Sequence, residues 1–99
     1  MAKVVLEISY EIDQKKRAEY LALVSEMKTH FTDVRKKNYA VFEVKGKSGS
    51  YIEQFVCNSI EEYEALEDDL DEKSEMLVAR LTSLVMGGKT RYSTLIEVP

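Results

Sequence analysis

The stretch Tyr51-Ile52-Glu53-Gln54-Phe55-Val56-Cys57-Asn58-Ser59-Ile60-Glu61-Glu62-Tyr63-Glu64-Ala65-Leu66 changes its repeat half-way along. From Tyr51 to Asn58 the residues alternate, with Tyr51, Glu53, Phe55 and Cys57 on one face and Ile52, Gln54 and Val56 on the other, which is the period of a strand. Ser59-Ile60-Glu61-Glu62 then reads as a capping box. The Ser59 hydroxyl can accept the Glu62 backbone N–H while the Glu62 side chain reaches back. Beyond it Tyr63, Leu66, Leu70, Leu77, Leu81 and Leu84 share a helical stripe. Lys73 and Ser74 interrupt that stripe, which predicts a bend or break around Asp69–Lys73. Gly87-Gly88 ends the helical region by admitting positive φ.

Working outward, Tyr39 to Lys45 also alternates, and Gly46-Lys47-Ser48-Gly49-Ser50 is a Gly/Ser connection that makes a hairpin of the two strands. Upstream, Lys3 to Glu11 places Val4, Leu6, Ile8 and Tyr10 opposite Val5, Glu7 and Ser9. Asp13 caps a first helix whose stripe is Tyr20, Val24, Met27, Phe31 and Val34, flanked by Leu21 and Leu23. Lys36-Lys37-Asn38 closes that helix, since Asn accepts left-handed geometry and cations suit a helix C-terminus. Lys89 to Val98 is a last strand. The order is β-α-β-β-α-β, an α+β, ferredoxin-like arrangement with one antiparallel sheet and both helices on one of its faces.

Ninety-nine residues make a single domain, expected to run 1–99. With 44% hydrophobic and 32% charged residues, the chain has enough apolar surface to fold. One Cys and one His leave no disulfide and no sulfur–imidazole zinc cluster, so no metal and no cofactor are expected. The opening run Met1–Glu7 is too short an apolar stretch for a signal peptide, and no run approaches the ~18 apolar residues of a membrane span. A cytoplasmic location, with no membrane partner, is the expectation. Charge is uneven: Glu61 to Glu75 holds nine acids and one Lys, a net −8, against +4 for the remainder. Such a block repels phosphates, and Arg35-Lys36-Lys37 is explained by the helix dipole, so nucleic acid is not an expected partner.

The sheet face away from the helices carries the functional question. Sorting the strands by hydrophobicity puts Val4, Leu6, Ile8, Phe42, Val44, Val56, Ile96 and Val98 against the helices. The open face then collects Val5, Glu7, Ser9, Tyr39, Val41, Glu43, Tyr51, Glu53, Phe55, Cys57, Arg91, Ser93 and Leu95, a mixture that calls for a ligand or partner. Single-stranded RNA would meet Glu7, Glu43 and Glu53, and the stretch Lys47–Cys57 lacks the glycine–aromatic pattern of RNA-recognition motifs. An anion cradle in the first strand–helix loop needs glycine, and Glu11-Ile12-Asp13-Gln14-Lys15 has none. A second copy of the same sheet covers the mixed face best and encloses a barrel lumen between the two.

The join Tyr51–Leu66 resembles that of the dimeric α+β barrel superfamily, which includes antibiotic-biosynthesis monooxygenase-like and stress-responsive barrel proteins. Monooxygenase-like members are similar here: an apolar strand, an aromatic, a small polar cap, a Glu, an aromatic and then a His. Ser59, Glu62 and Tyr63 match the cap, the acid and the aromatic, while Leu66 stands where the His falls and Cys57 where Trp or Tyr is common. The resemblance implies a homodimeric α+β barrel that binds a small organic ligand or serves a structural role. The alternative is a cofactor-independent monooxygenase-like enzyme acting on an aromatic or polyketide-like substrate, which needs a group to deprotonate the substrate.

The candidate ligand-binding residues are Glu7, Tyr39, Glu43, Tyr51, Glu53, Phe55, Cys57 and Arg91. Glu7, Glu43 and Glu53 in a closed lumen would be desolvated and repel one another, raising at least one pKa, but the favoured reading is that Glu43 and Glu53 lie at strand ends or pair with Lys45 and Arg91 across the sheet or dimer interface. Tyr39, Tyr51 and Phe55 could sandwich a flat ligand or simply pack. Cys57 has no His beside it and reads as packing. His30, the only imidazole, flanks the first helix stripe and reads as solvated or structural. No catalytic residue is assigned.

Overall fold

The structure, a computed structural model, describes residues 2–68 and 71–99. Strand β1 (Val4–Glu11) leads through a 3₁₀ turn at Gln14–Lys16 into helix α1 (Arg17–Lys28), which runs on as a π-helical turn over Thr29–Val34. The hairpin strands β2 (Tyr39–Glu43) and β3 (Ser50–Cys57) follow. Helices α2 (Ile60–Asp68) and α3 (Glu72–Leu84) then lead by a short turn to β4 (Arg91–Ile96). The sheet is antiparallel throughout in the order β2-β3-β1-β4. The ferredoxin-like α+β order read from the sequence is therefore the observed one.

Local chemistry places the element ends. Asp13 accepts the Lys15 N–H at 2.9 Å and opens the first helical segment. The Ser59 hydroxyl accepts the Glu62 N–H at 3.1 Å, while Glu62 reaches back one residue further than expected, to the Asn58 N–H at 2.6 Å. The predicted break falls where α2 ends at Asp68 and α3 begins at Glu72, although Asp69 and Leu70 lie outside the described residues. There Asp71 caps α3 by accepting the Ser74 N–H at 2.9 Å. Gly87 and Gly88 end the helical region at φ 62° and 65°.

The first helix departs from expectation at its end. The Arg35 N–H reaches the carbonyl of His30 and that of Lys37 the carbonyl of Phe31, so the turn is wider than an α-helical one. The extra residue slips the phase of the stripe. His30 and Phe31 both turn inward, and Val34, expected on the buried stripe, is 65% exposed. The left-handed residue that ends the segment is Lys36, at φ 57°, rather than Asn38.

The assignment of sheet faces requires a larger correction. Register pairs Val4 with Cys57, Leu6 with Phe55, Ile8 with Glu53 and Tyr10 with Tyr51, and directly opposite residues share a face. In the next pair Tyr39 faces Phe55, Val41 faces Glu53 and Glu43 faces Tyr51. Tyr39, Val41, Glu43, Tyr51, Glu53, Phe55 and Cys57 therefore lie on the helix side with Leu6 and Ile8, and Phe42 and Val56 lie on the open side. Hydrophobicity could not decide this, because both faces of the hairpin mix apolar and polar residues. Packing of aromatic rings decides it. Tyr10, Tyr20, Tyr39 and Tyr51 bury their rings beneath Leu23, Met27, Phe31, Leu77 and Leu81, and three of the four hydroxyls find partners within that layer.

Candidate functional site

The helix-side face does not close completely on the helices. A cavity of about 330 Å³ remains between them, at the lower end of the ~300–1,000 Å³ typical of small-ligand sites. Leu6 and Ile8 of β1, Phe55 of β3, Met27 of α1 and Phe31 of the π turn form its apolar floor and side, and Leu66, Val78 and Leu81 of the later helices its roof. Thr90, Tyr92 and Thr94 line it near the β4 edge, where Tyr92 is 68% exposed. The Tyr63 and Thr94 hydroxyls, 2.7 Å apart, tie α2 to β4 over this end. Arg35, Lys37 and Glu53 are the charged types in the wall.

Glu53 is 3% exposed. Its Oε1 accepts the Tyr39 hydroxyl proton at 2.7 Å, and its Oε2 is buried without a hydrogen-bond partner. Burial pushes the carboxyl pKa up, because no bulk water solvates the anion, and the Tyr39 and Tyr10 hydroxyls only partly oppose this. Tyr10 approaches the carboxyl, but its own bond of hydrogen-bond length runs to the Tyr20 hydroxyl at 2.8 Å. The same burial raises the phenols: Tyr10, Tyr20 and Tyr39 are all held toward the neutral form, chiefly by desolvation and secondarily by the Glu53 charge, while the hydrogen bond from Tyr10 opposes the rise at Tyr20. The site thus holds a carboxyl biased toward protonation, one oxygen fixed and the other uncommitted, at the edge of an apolar space.

Of the eight residues picked from the sequence, Glu53 and Phe55 line this cavity, and Tyr39 supports it by holding Glu53 and packing on Phe31 and Phe55 at 5.0 and 4.7 Å between ring centroids. Tyr51 packs on Tyr20 at 4.4 Å between ring centroids, and its hydroxyl oxygen accepts a hydrogen bond from Arg17 Nη1 at 2.6 Å. Glu43 pairs with the same guanidinium at 2.7 Å, which together with the Gly49 N–H lowers its pKa. Cys57 is buried opposite Val4, outside the cavity wall, with its thiol pushed up by burial and then by Glu62. Glu7 and Arg91 sit on the opposite face of the sheet: Glu7 accepts from Gln54 Nε2 at 3.2 Å, and Arg91 lies across from Ser9. The eight therefore do not converge in one lumen.

Some contributors were missed. Met27, Phe31 and Tyr63 stand on the predicted helical stripes, whereas Arg35 and Lys37 carry only the signal of dipole-complementing cations, and Tyr92 and Thr94 carry only that of a strand. His30 is buried rather than solvated. Its Nε2 lies 3.1 Å from an Asp71 carboxylate oxygen and 3.1 Å from Ser74 Oγ. Both contacts use one ring nitrogen, which suits a structural clamp between the π turn and α3 and not a relay through the ring. Among the described residues no three metal-ligating side chains converge, and no helix is long and apolar enough to cross a membrane.

No family profile matches the sequence, and no curated protein matches it by sequence. Solved structures do match in shape. An antibiotic biosynthesis monooxygenase superposes with a TM-score of 0.73 at 16% identity, covering 100% of both chains. A mutant of SnoaB, a cofactor-independent oxygenase from Streptomyces nogalater, gives 0.73 at 11% identity over 94% of this chain and 90% of the other. A NIPSNAP family protein from Agrobacterium tumefaciens gives 0.74 at 20% identity over 97% and 86%. Such identities speak to architecture. Together with the strand order, they show that this protein has the ferredoxin-like α+β fold of the antibiotic biosynthesis monooxygenase structures it matches.

Proposed function

We propose that the chain binds a small, largely apolar organic molecule in the cavity between sheet and helices, and that Glu53 meets an oxygen of that molecule. The observation that carries this reading is the buried, unpartnered Oε2 of Glu53 at the cavity wall. Leaving a polar atom unsatisfied costs about 1–3 kcal/mol, a burden that a ligand oxygen would relieve. The protonated carboxyl can donate Oε2–H to a carbonyl or phenolic oxygen, and on ionising it can accept a proton from one. The cavity takes the place of the inter-subunit lumen expected from the sequence. We further propose that two copies pair through the open faces, where Phe42, 51% exposed, sits across from Ile52 and, further along the sheet, Val5 sits across from Val56.

A second reading, catalysis, has one observation behind it. Cofactor-independent oxygenation needs a protein group that removes a proton from an enolic or phenolic substrate, and a buried carboxyl with a raised pKa suits that task. SnoaB, of the same fold, is a cofactor-independent oxygenase.

Native mass spectrometry of the purified protein tests both parts. The expected result is a particle near twice 11.4 kDa that binds a neutral aromatic ketone such as 2-acetonaphthone, with weaker binding by Glu53→Gln, which presents a weaker donor. A monomer would overturn the pairing. Failure of the ketone to bind, with no co-purifying organic mass, would overturn the cavity reading.

A further inference from the structure

Resting on that cavity reading, we infer that the ligand is an amphipathic monoanion, an organic carboxylate of one or two rings' size, and that Lys37 with Arg35 selects its charged end.

The geometry begins with the π turn. After it, Lys36 takes the left-handed conformation, and the backbone N–H of Lys37 is held by the Phe31 carbonyl at 2.7 Å. That local turn separates three consecutive cations. Lys36 is exposed, whereas Arg35 and Lys37 are drawn into the cavity wall beside Phe31. A helix-dipole role alone would leave all three solvated.

The two wall cations differ in their surroundings. Arg35, with its side chain 12% exposed, donates from Nη1 to Asp71 Oδ1 at 3.2 Å and to Ser74 Oγ at 3.1 Å. Asp71 also faces His30 Nε2. This arrangement fixes the guanidinium in place and offsets its charge with one carboxylate. Lys37, half-buried, forms no ion pair among the described residues. Glu62, whose charge reaches the same neighbourhood at Cys57, is committed to capping the Asn58 N–H.

Glu53 is biased toward its neutral form, so it does not cancel Lys37 across the cavity. Lys37 then brings to the wall a positive charge that has no ion-pair partner among the described residues, within a protein of net charge −4. One such charge matches a carboxylate better than a phosphate dianion, and the apolar floor requires an apolar body. The molecule that satisfies both ends has a carboxylate at Lys37 and an oxygen acceptor at Glu53.

Calorimetric titration of a matched pair tests this. 6-Acetyl-2-naphthoate carries the anion, and the neutral 2-acetonaphthone lacks it. The expected result is roughly tenfold tighter binding of the anion at low salt, a difference of about 1.4 kcal/mol, that shrinks as salt is raised. Lys37→Gln should abolish the preference, and Lys37→Arg should restore it. Lys37 is only half-buried, so these variants should fold, which circular dichroism checks. Equal binding of the two compounds, or a preference that survives Lys37→Gln, overturns the inference while the cavity reading stands. If neither compound binds, both fall.

Discussion

The Tyr39 hydroxyl donates to Glu53 Oε1 at 2.7 Å, a diagonal contact between β2 and β3 that fixes one carboxyl oxygen and leaves the other buried without a hydrogen-bond partner among the described residues. Both side chains are buried, so the bond cannot be exchanged for one to water. Tyr39→Phe keeps the ring packed on Phe31 and Phe55 and removes only the hydroxyl. Because a second buried oxygen is then orphaned, stability should fall by about 1–3 kcal/mol, read by urea denaturation. The bond also lowers the Glu53 pKa against the larger effect of burial, so its removal should raise that pKa further, read by carboxyl ¹³C NMR. An unchanged denaturation midpoint would mean that the bond does not hold Glu53.

Glu53 itself should shape the alkaline side of the stability profile. Its folded-state pKa is raised above that of the unfolded chain, which is near 4.3 for an ordinary Glu. Below that value both states are protonated and nothing is lost. Above it the unfolded chain releases a proton that the folded protein keeps, and stability declines by up to about 1.4 kcal/mol per pH unit until the folded-state pKa is passed. Glu53→Gln cannot ionise and should flatten the decline. Parallel slopes for the two proteins from pH 5 to pH 9 would show that Glu53 ionises on folding as freely as it does unfolded.

How much of this was legible in the sequence depends on the kind of signal. Local pattern reveals the elements, because Leu6–Tyr10 alternates apolar with polar, Tyr51–Cys57 is a short aromatic and β-branched run after a Gly/Ser turn, and Ser59–Glu62 is a cap with a mechanism. Faces are a relation between strands, and no single strand encodes its register. Tyr39, Tyr51 and Glu53 look like surface residues one at a time. Only in the folded sheet does the Tyr39 hydroxyl find Glu53 and the Tyr51 hydroxyl find Arg17, which allows the rings to be buried on the helix side. Arg35 and Lys37 were hidden for a different reason. The π turn that brings them to the cavity violates the 3.6-residue repeat from which their positions would be read.

Asp71 should govern the acid side. Its carboxylate accepts from Ser74, both at the backbone N–H and through the hydroxyl, and faces His30. The Ser74 bonds chiefly, with His30 adding, hold its pKa well below the usual carboxylate range. A depressed folded-state pKa stabilises the protein above the unfolded value near 3.9, and that stabilisation is lost as pH falls through the folded value. Asp71→Asn preserves a good capping residue while removing the charge that faces His30 and Arg35. The variant should be less stable at pH 7 and lose less stability on acidification from pH 5 to pH 2, measured by thermal unfolding. A wild-type acid limb as shallow as that of Asp71→Asn would refute this role.

The hairpin loop offers a comparison between two glycines that share a backbone conformation and differ in surroundings. Gly46 and Gly49 both have positive φ, 85° and 91°. A Cβ at Gly46 would meet nothing within 4 Å, whereas one at Gly49 would stand 2.9 Å from the Ile12 carbonyl oxygen. The approach is tight because the Ile12 N–H donates to the Gly49 carbonyl at 2.8 Å, tying the loop to the end of β1. Both Ala variants bear the left-handed penalty of about 1–2 kcal/mol. Gly49→Ala must in addition move backbone that carries a hydrogen bond, and should cost about 1–3 kcal/mol more than Gly46→Ala. Urea denaturation of the two variants side by side measures the difference. Equal losses would mean that the Ile12–Gly49 contact yields without strain, and that the loop is not pinned to β1 at this point.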